Sequence, residues 1–148
     1  MSTQENRVIA YLISNLIGLG TFVYYVITAS QQEGYDPATI PSEWGVRVLI
    51  AIGVTVLMTV ILVVVATVLH AVITHEEESS LTDERDQLIN LKANRNAYTV
   101  FGVSFLVAMI ILAVGQPALQ TFNLIVYALF GASVVDSATQ LYLYRRGF

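Results

Sequence analysis

One carboxylate stands inside the last apolar stretch of the chain. Asp136 lies about 13 Å deeper along a helix than Arg145, at 1.5 Å of rise per residue. An acid at that depth in lipid is costly, faces the interior of a helix bundle, and is a functional candidate by default. Ala128, Ala132, Asp136 and Gln140 recur every four residues, a small and polar stripe suited to close helix contact. Comparable stripes occur in the other apolar stretches: Ala10, Ser14 and Gly18 beside Asn15; Thr55, Thr59 and Thr67; Asn96, Ser104 and Ala108. Counted from one end of the bundle, Asn15, Asn96 or Thr99, and Asp136 with Gln140 share a layer, which His70 can join. The expectation is a buried polar cluster. Its plainest use is a set of hydrogen bonds fixing helix register; a proton or ion site and a lipid or small-ligand cleft are the alternatives.

Other constellations are weaker. His75 and Glu78 are three apart and can share a helical face, but carboxylate metal sites in bundles need matching pairs on several helices, and His70 is out of phase with His75. No metal or cofactor is expected. The chain has no cysteine, which excludes thiol catalysis and thiolate ligation. It has no glycine-rich phosphate loop and no Ser-His-Asp set, so it reads as a non-enzyme. A basic patch for nucleic acid is also missing.

The elements that must position these residues follow from composition. At 148 residues, 55% hydrophobic and 12% charged, with mean hydropathy +0.66, the chain is too apolar for a soluble domain of its size. One helical crossing of a bilayer needs about 20 apolar residues. Four stretches qualify, giving helices of about 7–29, 44–74, 82–114 and 118–145 and leaving no room for a separate soluble domain. The fold expected is an all-α, polytopic, four-transmembrane-helix bundle forming a single domain over 1–148, with helix 3 extended into the cytoplasm. The first stretch exceeds the apolar region of a secretory signal, and Glu5 offsets Arg7, so it is expected to be retained. Asp36-Pro37 predicts a short surface turn of helix, Pro41-Ser42-Glu43 the start of helix 2, and Gly115-Gln116-Pro117 a tight hairpin between helices 3 and 4.

Basic residues near helix ends keep those ends in the cytoplasm. Arg7, Arg85, Lys92, Arg95, Arg145 and Arg146 fall on one side, and only Arg47 lies opposite. Tyr24, Tyr25, Tyr35 and Trp44 mark an outer aromatic belt, and Tyr11, Tyr98, Tyr142 and Tyr144 an inner one. The chain is expected in the cell (inner) membrane as a multi-pass protein with both termini cytoplasmic. Its medium is the lipid bilayer.

More than half of the 11 acids lie in residues 76–86, so the net charge of −4 belongs to one loop. Ser80 or Thr82 can cap a helix there, with Asp83, Glu84 and Asp86 favoured in its first turn. Leu81, Leu88 and Leu91, with Ile89 beside them, form an apolar stripe that must be covered. Helices 2 and 4 or a second copy can cover it; so can a cytoplasmic or membrane protein partner. Arg85 can pair with a carboxylate such as Glu77 or Glu78.

The run Thr82-Asp83-Glu84-Arg85-Asp86-Gln87-Leu88-Ile89 before a membrane helix resembles the D-E-R-[DE]-x-x-I element of uncharacterised prokaryotic membrane proteins, among them a domain-of-unknown-function family. The resemblance covers about a dozen residues. It implies a small multi-span protein, sometimes encoded beside a helix-turn-helix regulator, without enzyme activity. Asp83, Glu84, Arg85 and Asp86 carry over, with no role attached. The function expected is therefore a non-enzymatic interaction, structural or regulatory protein acting through residues 76–96. The alternative is a small transporter or channel using Asp136. A homodimer through the Gly and Ala stripes fits either.

Overall fold

The computed structural model describes residues 3–31, 41–74 and 84–146, and every element among them is a helix. In chain order these are α1 (Thr3–Ser30), α2 (Pro41–Thr74), α3 (Glu84–Ala113) and α4 (Ala118–Arg146). Each contains a stretch long and apolar enough to cross a membrane. Helices are what a bilayer demands, because each backbone N–H and C=O must be bonded within the segment when no water is at hand. At 34 residues, α2 is about 51 Å long by its rise, well beyond a hydrocarbon core of about 30 Å.

The end of α3 shows how sequence dictates the turn. Gly115 adopts φ +86°, a left-handed conformation open to glycine without penalty. Its N–H bonds to the Leu112 carbonyl at 3.0 Å and the Gln116 N–H reaches back to Ile111 at 3.3 Å. This pair of bonds is a Schellman ending, which satisfies carbonyls the helix would otherwise leave open. Pro117 then accepts from the Gln120 N–H at 3.0 Å and opens α4. The chain thus reverses within a few residues.

The helices pack in the order α2, α1, α4, α3. The substantial contacts are α3 with α4, α1 with α2, and α1 with α4. Contact between α2 and α3 is at most marginal. The inner pair, α1 and α4, runs antiparallel. Asn15 meets Ser133 and Ser137 while Phe22 meets Tyr127 and Phe130 further along. The start of α1 and the end of α4 therefore share one end of the bundle.

The core sits where α1, α2 and α4 meet. Phe22, Ala51, Val126 and Phe130 form it, with Leu19, Val26, Trp44, Val48 and Tyr127 packed around. Small residues allow the approach: Ala10, Ser14 and Gly18 are buried on α1, and Ala128 and Ala132 on α4. A Cβ on Gly18 would collide with Thr55 Oγ1 of α2 and come within 2.9 Å of the Phe130 ring. Along α2, by contrast, Leu49, Val56, Leu57, Val60, Val64, Val68 and Leu69 are all exposed. A helix apolar on every side and bare on most of them is suited to lipid.

Candidate functional site

α1 and α3 both lie on α4 with at most marginal contact between them. The result is a cleft floored by α4, with a cavity of about 490 Å³. α1 contributes Tyr11 and Asn15 as one wall. The other wall is the α3 face carrying Asn94, Ala97, Tyr98 and Phe101. The floor is Leu129, Ala132, Ser133, Asp136, Ser137 and Gln140. The i, i+3 and i+4 spacings on α3 and α4 are those of single helical faces, which is why these side chains converge.

The polar groups are tied together in part. The side-chain amide of Asn15 donates to the Ser133 carbonyl and to Ser137 Oγ, each at 3.3 Å. Ser137 itself donates to the Ser133 carbonyl at 3.1 Å. Gln140 Nε2, one turn along α4, donates to Asp136 Oδ2 at 2.9 Å. Asp136 Oδ1 is shielded from solvent and accepts no hydrogen bond. An ionised or polar oxygen so placed costs more than a satisfied one by several kcal/mol in a nonpolar medium, roughly. Among the described residues the lining contains no Lys, Arg or His to balance it.

Asn15, Asp136 and Gln140 are thus brought together as the sequence suggests, but Asn96 and Thr99 are not. Both are exposed, and the Thr99 hydroxyl bonds to the Arg95 carbonyl of its own helix. Depth was matched and helical phase was not: α3 turns Asn94 and Tyr98 to the cleft, and residues 96 and 99 lie on other faces. Tyr98 and Asn94 could have been found by asking which α3 positions lie three or four apart at the depth of Asp136. His70 belongs to α2, which gives no residue to the cavity lining among those described; its side chain lies outside the described residues.

The charged start of α3 has a structural partner. Asp86 Oδ1 accepts a hydrogen bond from the Tyr144 hydroxyl at 3.0 Å, pinning the first turn of α3 to the last turn of α4. Ile89 and Ala93 are fully buried on the same side. Glu84 and Arg85 are exposed. Leu88 and Leu91 are 51% and 66% exposed, so the apolar stripe splits: Ile89 is covered by this chain, and the two leucines are not. The expected cap at Ser80 or Thr82, together with Leu81, Asp83, His75, Glu76, Glu77 and Glu78, falls outside the described residues, as do Tyr35 and the Asp36-Pro37 turn. No group of three metal-ligating side chains occurs among the described residues.

Four apolar helices and no strands among the described residues define an all-α, multi-pass membrane protein. Residues 6–148 match the family model described as "Predicted membrane protein (DUF2178)". The chain belongs to this family, whose function is unknown. Neither a curated protein nor a solved structure matches it.

Proposed function

We propose that this chain is a non-enzymatic membrane protein that works by binding, and that its binding site is the cleft between α1 and α3. The observation that carries this is Asp136, a carboxylate that lines a cavity of about 490 Å³ and has one oxygen without a hydrogen-bond partner among the described residues. Sites for small ligands have volumes of this order, with mostly apolar walls and a few convergent polar groups. A ligand in the cavity that brings a hydrogen-bond donor or a positive charge against this carboxylate offsets the cost of leaving it uncompensated. Native mass spectrometry of protein drawn from its own membranes tests this. A bound small-molecule mass is expected on the wild type and absent from Asp136→Asn; identical adducts on both overturn the idea.

A second reading, that the first turns of α3 dock a partner or a second copy, is favoured by the exposure of Leu88 and Leu91. The opposite face is held by Ile89 and by the bond from Tyr144 to Asp86, so the leucines project from a fixed support. Photo-crosslinking from positions 88 and 91 in native membranes is expected to capture another chain. Crosslinks to lipid alone count against it.

The membrane concerned is the inner membrane of a prokaryote, with both termini cytoplasmic. Support comes from the basic residues: Arg85, Lys92, Arg95, Arg145 and Arg146 belong to the end where α3 begins and α4 finishes, and Arg47 to the other.

A further inference from the structure

We propose that the ligand of the Asp136 cleft is an organic cation, an ammonium group carried on an apolar or aromatic skeleton. This rests on the cleft being a binding site and adds the chemical class it selects. Three features converge. The first is the Asp136 carboxylate, which lines the cavity, with one oxygen held by Gln140 and the other without a hydrogen-bond partner among the described residues. A neutral hydroxyl would leave the charge of the ionised carboxylate uncompensated, and the lining offers no cation among the described residues. The ammonium supplies donor and charge together.

The second feature is the aromatic content of the walls. Tyr11 from α1 and Tyr98 and Phe101 from α3 line the same cavity as the acid. Ring faces attract cations and shelter the methylenes beside them. The third is the shortage of further anionic ligands. Among the described residues Asp136 is the only carboxylate in the lining, and a divalent metal takes several oxygen or nitrogen ligands. One carboxylate among aromatic rings suits a single organic charge. The gap between α1 and α3 gives such a molecule a way in from the bilayer, headgroup end first, with its tail left beside Tyr98.

The test compares three compounds of one skeleton in lipid nanodiscs: phenylbutylammonium, phenylbutanol and phenylbutyrate. Binding is read by isothermal titration, with empty discs subtracted. The ammonium is expected to bind the wild type at least about ten-fold more tightly than either of the others, the range that a charge-assisted hydrogen bond confers. Asp136→Asn should lose about ten-fold or more of that affinity by the same bond, and Asp136→Glu should keep most of it. Tyr98→Leu should weaken it about three- to five-fold through the lost ring face; Tyr98 is 74% exposed, so this variant leaves the core untouched.

Equal binding of the ammonium to wild type and Asp136→Asn overturns the proposal, as does no binding to the wild type at millimolar concentration. Phenylbutanol binding as tightly as the ammonium, and in an Asp136-dependent way, overturns the cationic class but leaves the cleft a binding site. An Asp136-dependent mass on the natively extracted protein, with no affinity for the ammonium, has the same meaning. The two readings therefore fail separately.

Discussion

Replacing Phe22 with alanine probes the packing that holds α1 between its neighbours. Phe22 is 1% exposed, with ring centroids 5.9 Å from Trp44, 5.1 Å from Tyr127 and 6.3 Å from Phe130. In a soluble core such a truncation costs about 3–5 kcal/mol, made of a transfer term for the apolar atoms and a cavity term for the space they leave. Within a bilayer the transfer term falls away, because a helix that detaches from its neighbours remains among lipid tails. The cavity term survives. Removing about 100 Å³ at about 24 cal/mol per Å³ gives roughly 2.4 kcal/mol, close to a fifty-fold change in the unfolding equilibrium. Part of that is the aromatic contact itself, which is worth about 0.5–1.5 kcal/mol per pair and is not added again.

Unfolding by sodium dodecyl sulfate in bicelles measures it, followed through Trp44. This is the only tryptophan in the chain, and its indole N–H donates to Asn123 Oδ1 at 2.9 Å. Leu16→Ala is the control, since Leu16 lies on the same helix and is 50% exposed; it should change stability by less than about 0.5 kcal/mol. Equal effects from the two variants refute the placement of the core. A loss above about 5 kcal/mol refutes the lipid argument instead, because it means that the transfer term is still present.

Gly18→Ala should lower stability by about 1–3 kcal/mol in the same assay, as overpacking does, because its Cβ meets Thr55 Oγ1 and the Phe130 ring. Adding Thr55→Ala should restore part of the loss, and no recovery in the double variant argues against the close crossing. Tyr144→Phe deletes the hydroxyl held by Asp86; at about 1 kcal/mol for a half-buried bond, amides 87–90 should exchange several-fold faster by mass spectrometry, with the hairpin turn unaffected. The absence of cysteine makes single thiols clean reporters of orientation. Gln116→Cys should react with an impermeant maleimide in intact cells, and Leu91→Cys only after lysis; the reverse pattern inverts the topology.

How much of this could be read from the residues depends on the solvent. Span number, the hairpin at Gly115 and the inward face of Asp136 were all legible, because length, a left-handed glycine and the expense of a carboxylate in lipid leave little choice. Helix order was not. In water an apolar stripe says which face is buried, but α2 is apolar on all sides and gives no such signal. In lipid the buried faces are marked by small residues, and Ala10, Ser14, Gly18, Ala128 and Ala132 follow that rule. The α3 wall of the cleft is not legible from depth, which points to Asn96 and Thr99, because helical phase turns Asn94 and Tyr98 to the cavity. The bond from Tyr144 to Asp86 joins residues 58 apart, and no local pattern announces it.

The packing order also explains why a cleft exists at all. Were α2 to close against α3, α1 and α4 would be enclosed and Asp136 would need a partner from within the bundle. Because α2 instead lies against α1 and α3 against α4, the polar floor of α4 is covered on only part of its width. Asn15 covers Ser133 and Ser137, Gln140 covers one oxygen of Asp136, and the other oxygen has no hydrogen-bond partner among the described residues. Register alone would be served as well by an asparagine, whose amide pairs across helices without the expense of a charge in lipid. A carboxylate at this position therefore favours a role for its charge, which the affinity of Asp136→Asn for the ammonium compound measures directly.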